Sequence, residues 1–163
     1  YYLREYAKLA MSAEPRGFTL LIAVVLSSVI VSVSLALIDI TYKQVTLASA
    51  AMQSQYAFYN ADTALECALY WDQKANAFDY GAPLAESSIT CAELPIQDYV
   101  VSQSGGVQSI SFTLPCAGGG SKGNVTVTKT STGATSIFGN GYNTCTVNDV
   151  RRIERGIKAT YGN

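Results

Sequence analysis

The sequence contains no histidine, and charged residues fill only 14% of its 163 positions, against about 25% in an ordinary soluble domain. Lack of histidine removes the commonest general base and the commonest nitrogen ligand for metals. No two cysteines stand in a C-x-x-C spacing, so a zinc site has little to build on. The net charge of −1 gives no general pull toward nucleic acid or anionic lipid. Glycine and proline are both missing from Phe18 to Tyr80. A stretch of that length without breakers predicts one continuous helix, expected to end near Trp71. Charge is missing too from Phe18 to Ile38, and the first charged side chain is Asp39.

What is present begins with Arg16-Gly17-Phe18-Thr19-Leu20-Leu21 and the apolar run behind it. About 20 apolar residues, at roughly 1.5 Å per residue, cross a hydrocarbon core of about 30 Å. Gly17 offers a protease open backbone just ahead of the run. A secretory signal is cut after its apolar region, which is then discarded. Here the order is reversed, and the apolar region stays with the mature chain. Phe18, Leu20, Leu21, Ile22, Val24, Val25, Leu26, Ile30, Leu35 and Leu37 supply the greasy surface of a segment placed at 18–40. Ser27, Ser28, Ser32 and Ser34 are compatible with lipid because their hydroxyls can bond back to carbonyls of the preceding turn. Asp39 and Lys43 are four apart and can pair on a helix, with Tyr42 as an aromatic anchor at the membrane surface.

The match at Gly17, Phe18, Thr19 and Leu20, with the run extending to about Tyr42, resembles the type IV filament family of pilins, minor pilins and pseudopilins. The resemblance implies cleavage between Gly17 and Phe18 by a prepilin peptidase and N-methylation of Phe18. It implies a leader at 1–17 that is removed, with Met11 taken as the start. Segment 18–40 would first span the membrane and later form the filament core, and 41–163 would be an extracytoplasmic head. The family usually has a glutamate as the fifth mature residue, where it registers subunits. Ile22 stands there in this chain, which points to a minor or tip component. The partners implied are other pilin subunits, the peptidase, an inner-membrane assembly platform and, before assembly, membrane lipid. The location implied is the cytoplasmic membrane, head outside, and afterwards an extracellular filament. Arg4, Lys8 and Arg16 favour that orientation weakly, since Glu5 and Glu14 lie among them. A pseudopilin of a type II secretion system shares the same anchor, as does an adhesin or DNA-uptake module on a pilin scaffold.

Beyond the anchor the sequence predicts an α+β head, with the second half of the helix packed on a small antiparallel sheet of about four strands. Phe58, Ala61, Leu65, Ala68 and Leu69 recur at helical spacing and are expected to face that sheet. Gly81 to Ile96 reads as a connecting loop. Tyr99 to Val101 reads as a short strand. Val107–Leu114 and Asn124–Thr130 alternate, with Ile110, Phe112, Leu114, Val125 and Val127 inward. Ser136 to Phe138 is expected to be a strand before a Gly139-Asn140-Gly141 turn, and Arg151 to Tyr161 a half-buried terminal strand. Cys67, Cys91, Cys116 and Cys145 all follow the apolar run, and an even count in a small exported head predicts two disulfides. Three pairings are available. Cys67–Cys91 with Cys116–Cys145 is preferred, since each closes a loop of about 25–30 residues.

Catalysis finds little support, and neither metal nor cofactor is expected. Arg151, Arg152, Arg155 and Lys158 suggest contact with nucleic-acid phosphates. Asp149 and Glu154 dilute that field, and a charged, solvated strand edge is the simpler reading. Tyr80, Tyr99 and Tyr142 are candidates for an exposed aromatic patch. Asn124-Val125-Thr126 has the form of a glycosylation acceptor, a triplet that arises readily by chance.

Overall fold

The computed structural model describes residues 16–162. Of the leader expected at 1–17, residues 1–15, with the expected Met11 start and the Arg4 and Lys8 charges, lie outside the described residues. Helix α1 (Arg16–Ala75) is followed by a 3-10 turn (Glu86–Ser88) and a short hairpin, β1 (Thr90–Cys91) and β2 (Leu94–Pro95). Five longer strands then run in sequence: β3 (Gln97–Ser104), β4 (Val107–Pro115), β5 (Ser121–Thr130), β6 (Thr135–Tyr142) and β7 (Glu154–Tyr161). They form one antiparallel sheet in the order β3-β4-β5-β6-β7. The fold is α+β, as expected, with five strands in place of about four. The chain divides into two compact units, one ending at Ala48 and one beginning at Ser49.

In the second unit, Ala57, Ala61, Ala64, Leu65 and Ala68 of α1 are buried together with Ile110, Phe112, Leu114, Val125, Val127 and Ile137 of the sheet. The alternation in β4 and β5 therefore has the expected parity. The helix face is shifted from the expected one. Phe58 is 49% exposed, and Ala57 and Ala64 take the contact instead. The reason is visible on the sheet. A Cβ on Gly141 would come within 2.1 Å of the Ala61 amide nitrogen, and one on Gly139 within 2.9 Å of the Ala61 carbonyl oxygen. Alanine on the helix and glycine on the strand let backbone meet backbone, which no phenylalanine would permit. The same fact corrects the expected turn at Gly139-Asn140-Gly141. β6 runs straight through it, because those glycines serve close approach rather than reversal.

α1 outruns the expected stop at Trp71 and ends at Ala75. Asn76 adopts a left-handed conformation (φ 50°), and the Ala77 N–H donates back to the Trp71 carbonyl at 3.0 Å. Asparagine thus supplies the termination usually left to glycine. The segment expected as plain loop contains the 3-10 turn and the hairpin. The strand expected at Tyr99–Val101 extends over eight residues. Buried Gln108 holds the segment after the helix. Its amide donates to the Asp79 carbonyl at 3.1 Å, and its oxygen accepts from the Gly81 N–H at 2.6 Å. Beside it Phe78 stacks on Phe112, with centroids 5.7 Å apart.

Asp72, 4% exposed, is the one buried carboxylate among the described residues. Lys129 on β5 approaches it at 2.7 Å, and the Tyr161 hydroxyl on β7 donates to its other oxygen. Burial, then the hydrogen bond to Asp72, then that carboxylate's charge, hold the Tyr161 hydroxyl well above its ordinary range. The sign follows from a raised folded-state pKa. The stabilisation is fully present below the unfolded value of about 10 and is lost as pH climbs beyond it. Tyr161→Phe is therefore expected to be less stable than the parent by about 1 kcal/mol at pH 8. That gap should narrow in urea melts above about pH 10. A gap that stays constant across this range would refute the linkage.

Candidate functional site

The residues of the apolar run lie in the first unit. Phe18, Leu20, Leu21, Ile22, Val24, Val25, Leu26, Ile30, Leu35 and Leu37 are each between 40% and 68% exposed, so no side of the helix is screened within the chain. Among the described residues, this is the one helix long and apolar enough to cross a membrane. A helix apolar all round needs an apolar surrounding. Its polar atoms are satisfied internally. The hydroxyls of Ser27 and Ser28 donate to the Val24 and Val25 carbonyls at 2.9 and 2.7 Å. Those of Ser32, Ser34 and Thr41 reach back four residues, each at 2.8 Å. The segment therefore presents no unpaired hydroxyl at these positions to hydrocarbon.

Gly17 and Phe18 occupy the first turn of α1, where backbone N–H groups lack partners within the helix. A Cβ on Gly17 would meet nothing within 4 Å, so the junction is open. At the other end of the run Lys43 Nζ meets Asp39 Oδ2 at 2.8 Å, the expected four-residue pair. Both side chains are well exposed, which limits the pair to a few tenths of a kcal/mol, roughly the value of an exposed helix pair.

The two disulfides form in the preferred pairing. Cys67–Cys91 ties α1 to β1 with a Cα separation of 5.7 Å, and Cys116–Cys145 ties the end of β4 to the segment after β6 with 6.2 Å. Trp71 Nε1 donates to the Thr90 carbonyl at 2.8 Å next to the first bridge. Gly120 lies against the second, where a Cβ would come within 2.0 Å of the Cys145 carbonyl oxygen.

The other candidate residues are not brought together. Tyr99 is on β3 and Tyr142 on β6, with two strands between them, and Tyr80 precedes the sheet. The Tyr142 ring lies 3.7 Å under the Arg152 guanidinium. Burial and the charge of Glu154 raise its hydroxyl pKa, against a lowering effect of Arg152. Arg155 instead donates from Nε to the Ser54 hydroxyl on α1 at 2.8 Å. The cations thus face different partners and form no single phosphate-reading stripe. Gly119-Gly120-Ser121-Lys122-Gly123 has the letters of a G-x-S-x-G motif. It passes from a turn into β5, whereas a nucleophile elbow passes from strand to helix, so no elbow forms.

Two features of the head were not anticipated from the sequence. The Asp72–Lys129–Tyr161 cluster joins residues up to 89 positions apart, and no local pattern marks it. The glycine–alanine contact had a signal in Ala57, Ala61, Ala64 and Ala68, spaced four, three and four.

One long apolar N-terminal helix, an antiparallel sheet and a pair of disulfides together make a pilin-like layout. The chain matches no protein-family model, no curated protein and no solved structure.

Proposed function

We propose that the chain is a structural subunit of a type IV pilus or related filament, a minor or tip component processed by a prepilin peptidase. The observation that carries this reading is the apolar run of α1. It is exposed on every side, with serine and threonine hydroxyls bonded back to its own carbonyls, directly behind an open Gly17–Phe18 junction. Such a segment is stable in lipid and equally stable among other apolar helices. Moving it from bilayer to filament never exposes it to water, so an assembly machine faces no large hydrophobic cost. The role is mechanical, not catalytic. Ile22 in place of the usual glutamate favours a position where subunit register is set by other residues.

N-terminal sequencing of the native protein tests the reading. A mature start at N-methylated Phe18 is expected. A chain that retains residues 11–17 in cells with an active prepilin peptidase would refute it. In the same cells Gly17→Ala is expected to leave uncut protein in the membrane, and normal processing of that variant would count equally against the proposal.

A further inference from the structure

The segment between β6 and β7 is pinned at many points, yet it turns its apolar side chains outward. Two reverse turns shape it. The Asp149 N–H donates to the Thr146 carbonyl at 3.4 Å, and the Arg152 N–H to the Asp149 carbonyl at 2.9 Å. Asp149 Oδ1 accepts from the Arg151 N–H at 2.9 Å, and the Arg152 guanidinium donates to the Val147 carbonyl at 3.3 Å. Asn143 braces the base. It donates to the Arg151 carbonyl at 3.0 Å and accepts from the Ile153 N–H at 2.6 Å. The Cys116–Cys145 bridge anchors the same segment. These polar groups are thus engaged within the loop, while Val147 and Val150 are left 64% and 99% exposed. Arg151 is exposed beside Val150, and its guanidinium has no partner among the described residues.

A groove of about 530 Å³ lies between the last turns of α1 and β1, lined by Glu66, Tyr70, Trp71, Lys74 and Thr90 among others. Tyr70, 61% exposed, meets the Trp71 ring edge to face, with centroids 5.9 Å apart. Glu66 is exposed one turn before Tyr70 and Lys74 one turn after it, and neither charge has a partner among the described residues. Groove and loop stand at opposite ends of the head. Asn143 Nδ2 donates to Gln53 Oε1 at 3.2 Å, and from Gln53 to Tyr70 the helix climbs about 26 Å. They also lead into opposite edges of the sheet, the loop into β7 and the β1–β2 hairpin into β3. One chain cannot fill its own groove with its own loop, but a second copy can.

We propose that the Val150–Arg151 tip of one copy docks into the Glu66–Tyr70–Trp71 groove of a second copy. Charge order carries the choice of partner. The tip reads Asp149, Val150, Arg151, and the groove reads Lys74, the two rings, Glu66. An arginine laid on an aromatic face beside a carboxylate gains both stacking and an ion pair. Val150 gains the apolar cover that it lacks within its own chain. The tip is already held in shape by its internal bonds, so docking costs little ordering. The contact joins two different patches, so it does not close on itself and can propagate from copy to copy. The proposal goes beyond the filament reading and needs no cleavage at Gly17, so its failure would leave that reading standing.

The test uses the full chain in lipid nanodiscs, one copy per disc, with sedimentation at high micromolar concentration as the readout. Discs are expected to associate into pairs and longer runs. Val150→Ser with Arg151→Ala in the tip, or Glu66→Ala with Tyr70→Ala in the groove, should each weaken association at least about tenfold. A mixture of these two variants should stop at pairs, since each supplies one intact half. The charge exchange Glu66→Arg with Arg151→Glu should restore much of what either single change loses. Val100→Ser, an exposed change on β3, should alter nothing. Parent discs that stay single would overturn the proposal, as would association that survives the tip variant. Binding to empty discs that the tip variant loses would assign the valines to lipid and overturn it too.

Discussion

Gly141→Val is expected to destabilise the head by about 3 kcal/mol or more, the upper end of what overpacking costs. The magnitude follows from what the new side chain would strike. Its Cβ would lie 2.1 Å from the Ala61 nitrogen, 2.2 Å from the Ala57 oxygen and 2.6 Å from the Asn60 carbonyl carbon. All three are backbone atoms of α1, so no rotamer change relieves the clash. The facing residues, Ala57 and Ala61, have almost nothing left to give up. Either the helix lifts from the sheet or β6 bends. Lifting would open the packing around Ala64, Leu65 and Ala68, all buried. Bending would cost ladder bonds to β5 and β7. Asn60, whose amide donates to the Tyr142 carbonyl at 2.7 Å, would lose its partner in the first case. Thermal melts of the full chain in micelles provide the check. At roughly 4–8 °C per kcal/mol a drop of more than about 12 °C is expected. Gly118→Ala is the control, since a Cβ there meets nothing within 4 Å, and it should stay within about 0.5 kcal/mol. Equal melts for the two variants would show that the helix does not bear on β6 as described.

The second large effect is expected at Asp72. Asp72→Ala leaves the Lys129 ammonium, whose side chain is 15% exposed, without its counter-charge, and leaves the Tyr161 hydroxyl without its acceptor. Removing one partner of a buried pair costs about 3–5 kcal/mol, and the lower end applies because Lys129 retains some access to water. The informative comparison is the double variant Asp72→Leu with Lys129→Met. Taking out both charges removes the unpaired ion and should recover most of the loss. Urea midpoints of the parent, the two single variants and the double variant give the coupling between the sites directly. If the double variant is as unstable as the sum of the singles, the pair is not coupled and the cluster is only a point of packing.

Much of the architecture could be read from the sequence because its determinants are local. The long helix follows from sixty-odd residues without a breaker, and the Asp39–Lys43 pair from a spacing of four. The inward sides of β4 and β5 follow from simple alternation. Cysteine spacing alone favoured the observed bridges. Errors arose wherever a distant partner decided. Gly139-Asn140-Gly141 looks like a turn until the helix backbone that its glycines admit is known. Phe58 has the right period for the core but is too large for the closest contact. Asn76 ends the helix by backbone conformation that its identity permits but does not demand. Of the candidate site, the run and its back-bonded serines were legible for the same local reasons.

The bond between Asp72 and Tyr161 links positions 89 apart and joins α1 to the edge strand β7. A nascent chain therefore reaches its C-terminal strand before its buried carboxylate finds either the tyrosine or a complete sheet. Until then the head is an unfinished polypeptide, slow to close because its decisive contacts are so remote in sequence. On the filament reading proposed above, proteases would thus have a natural means of discarding chains that lack β7, well before any reached a growing polymer.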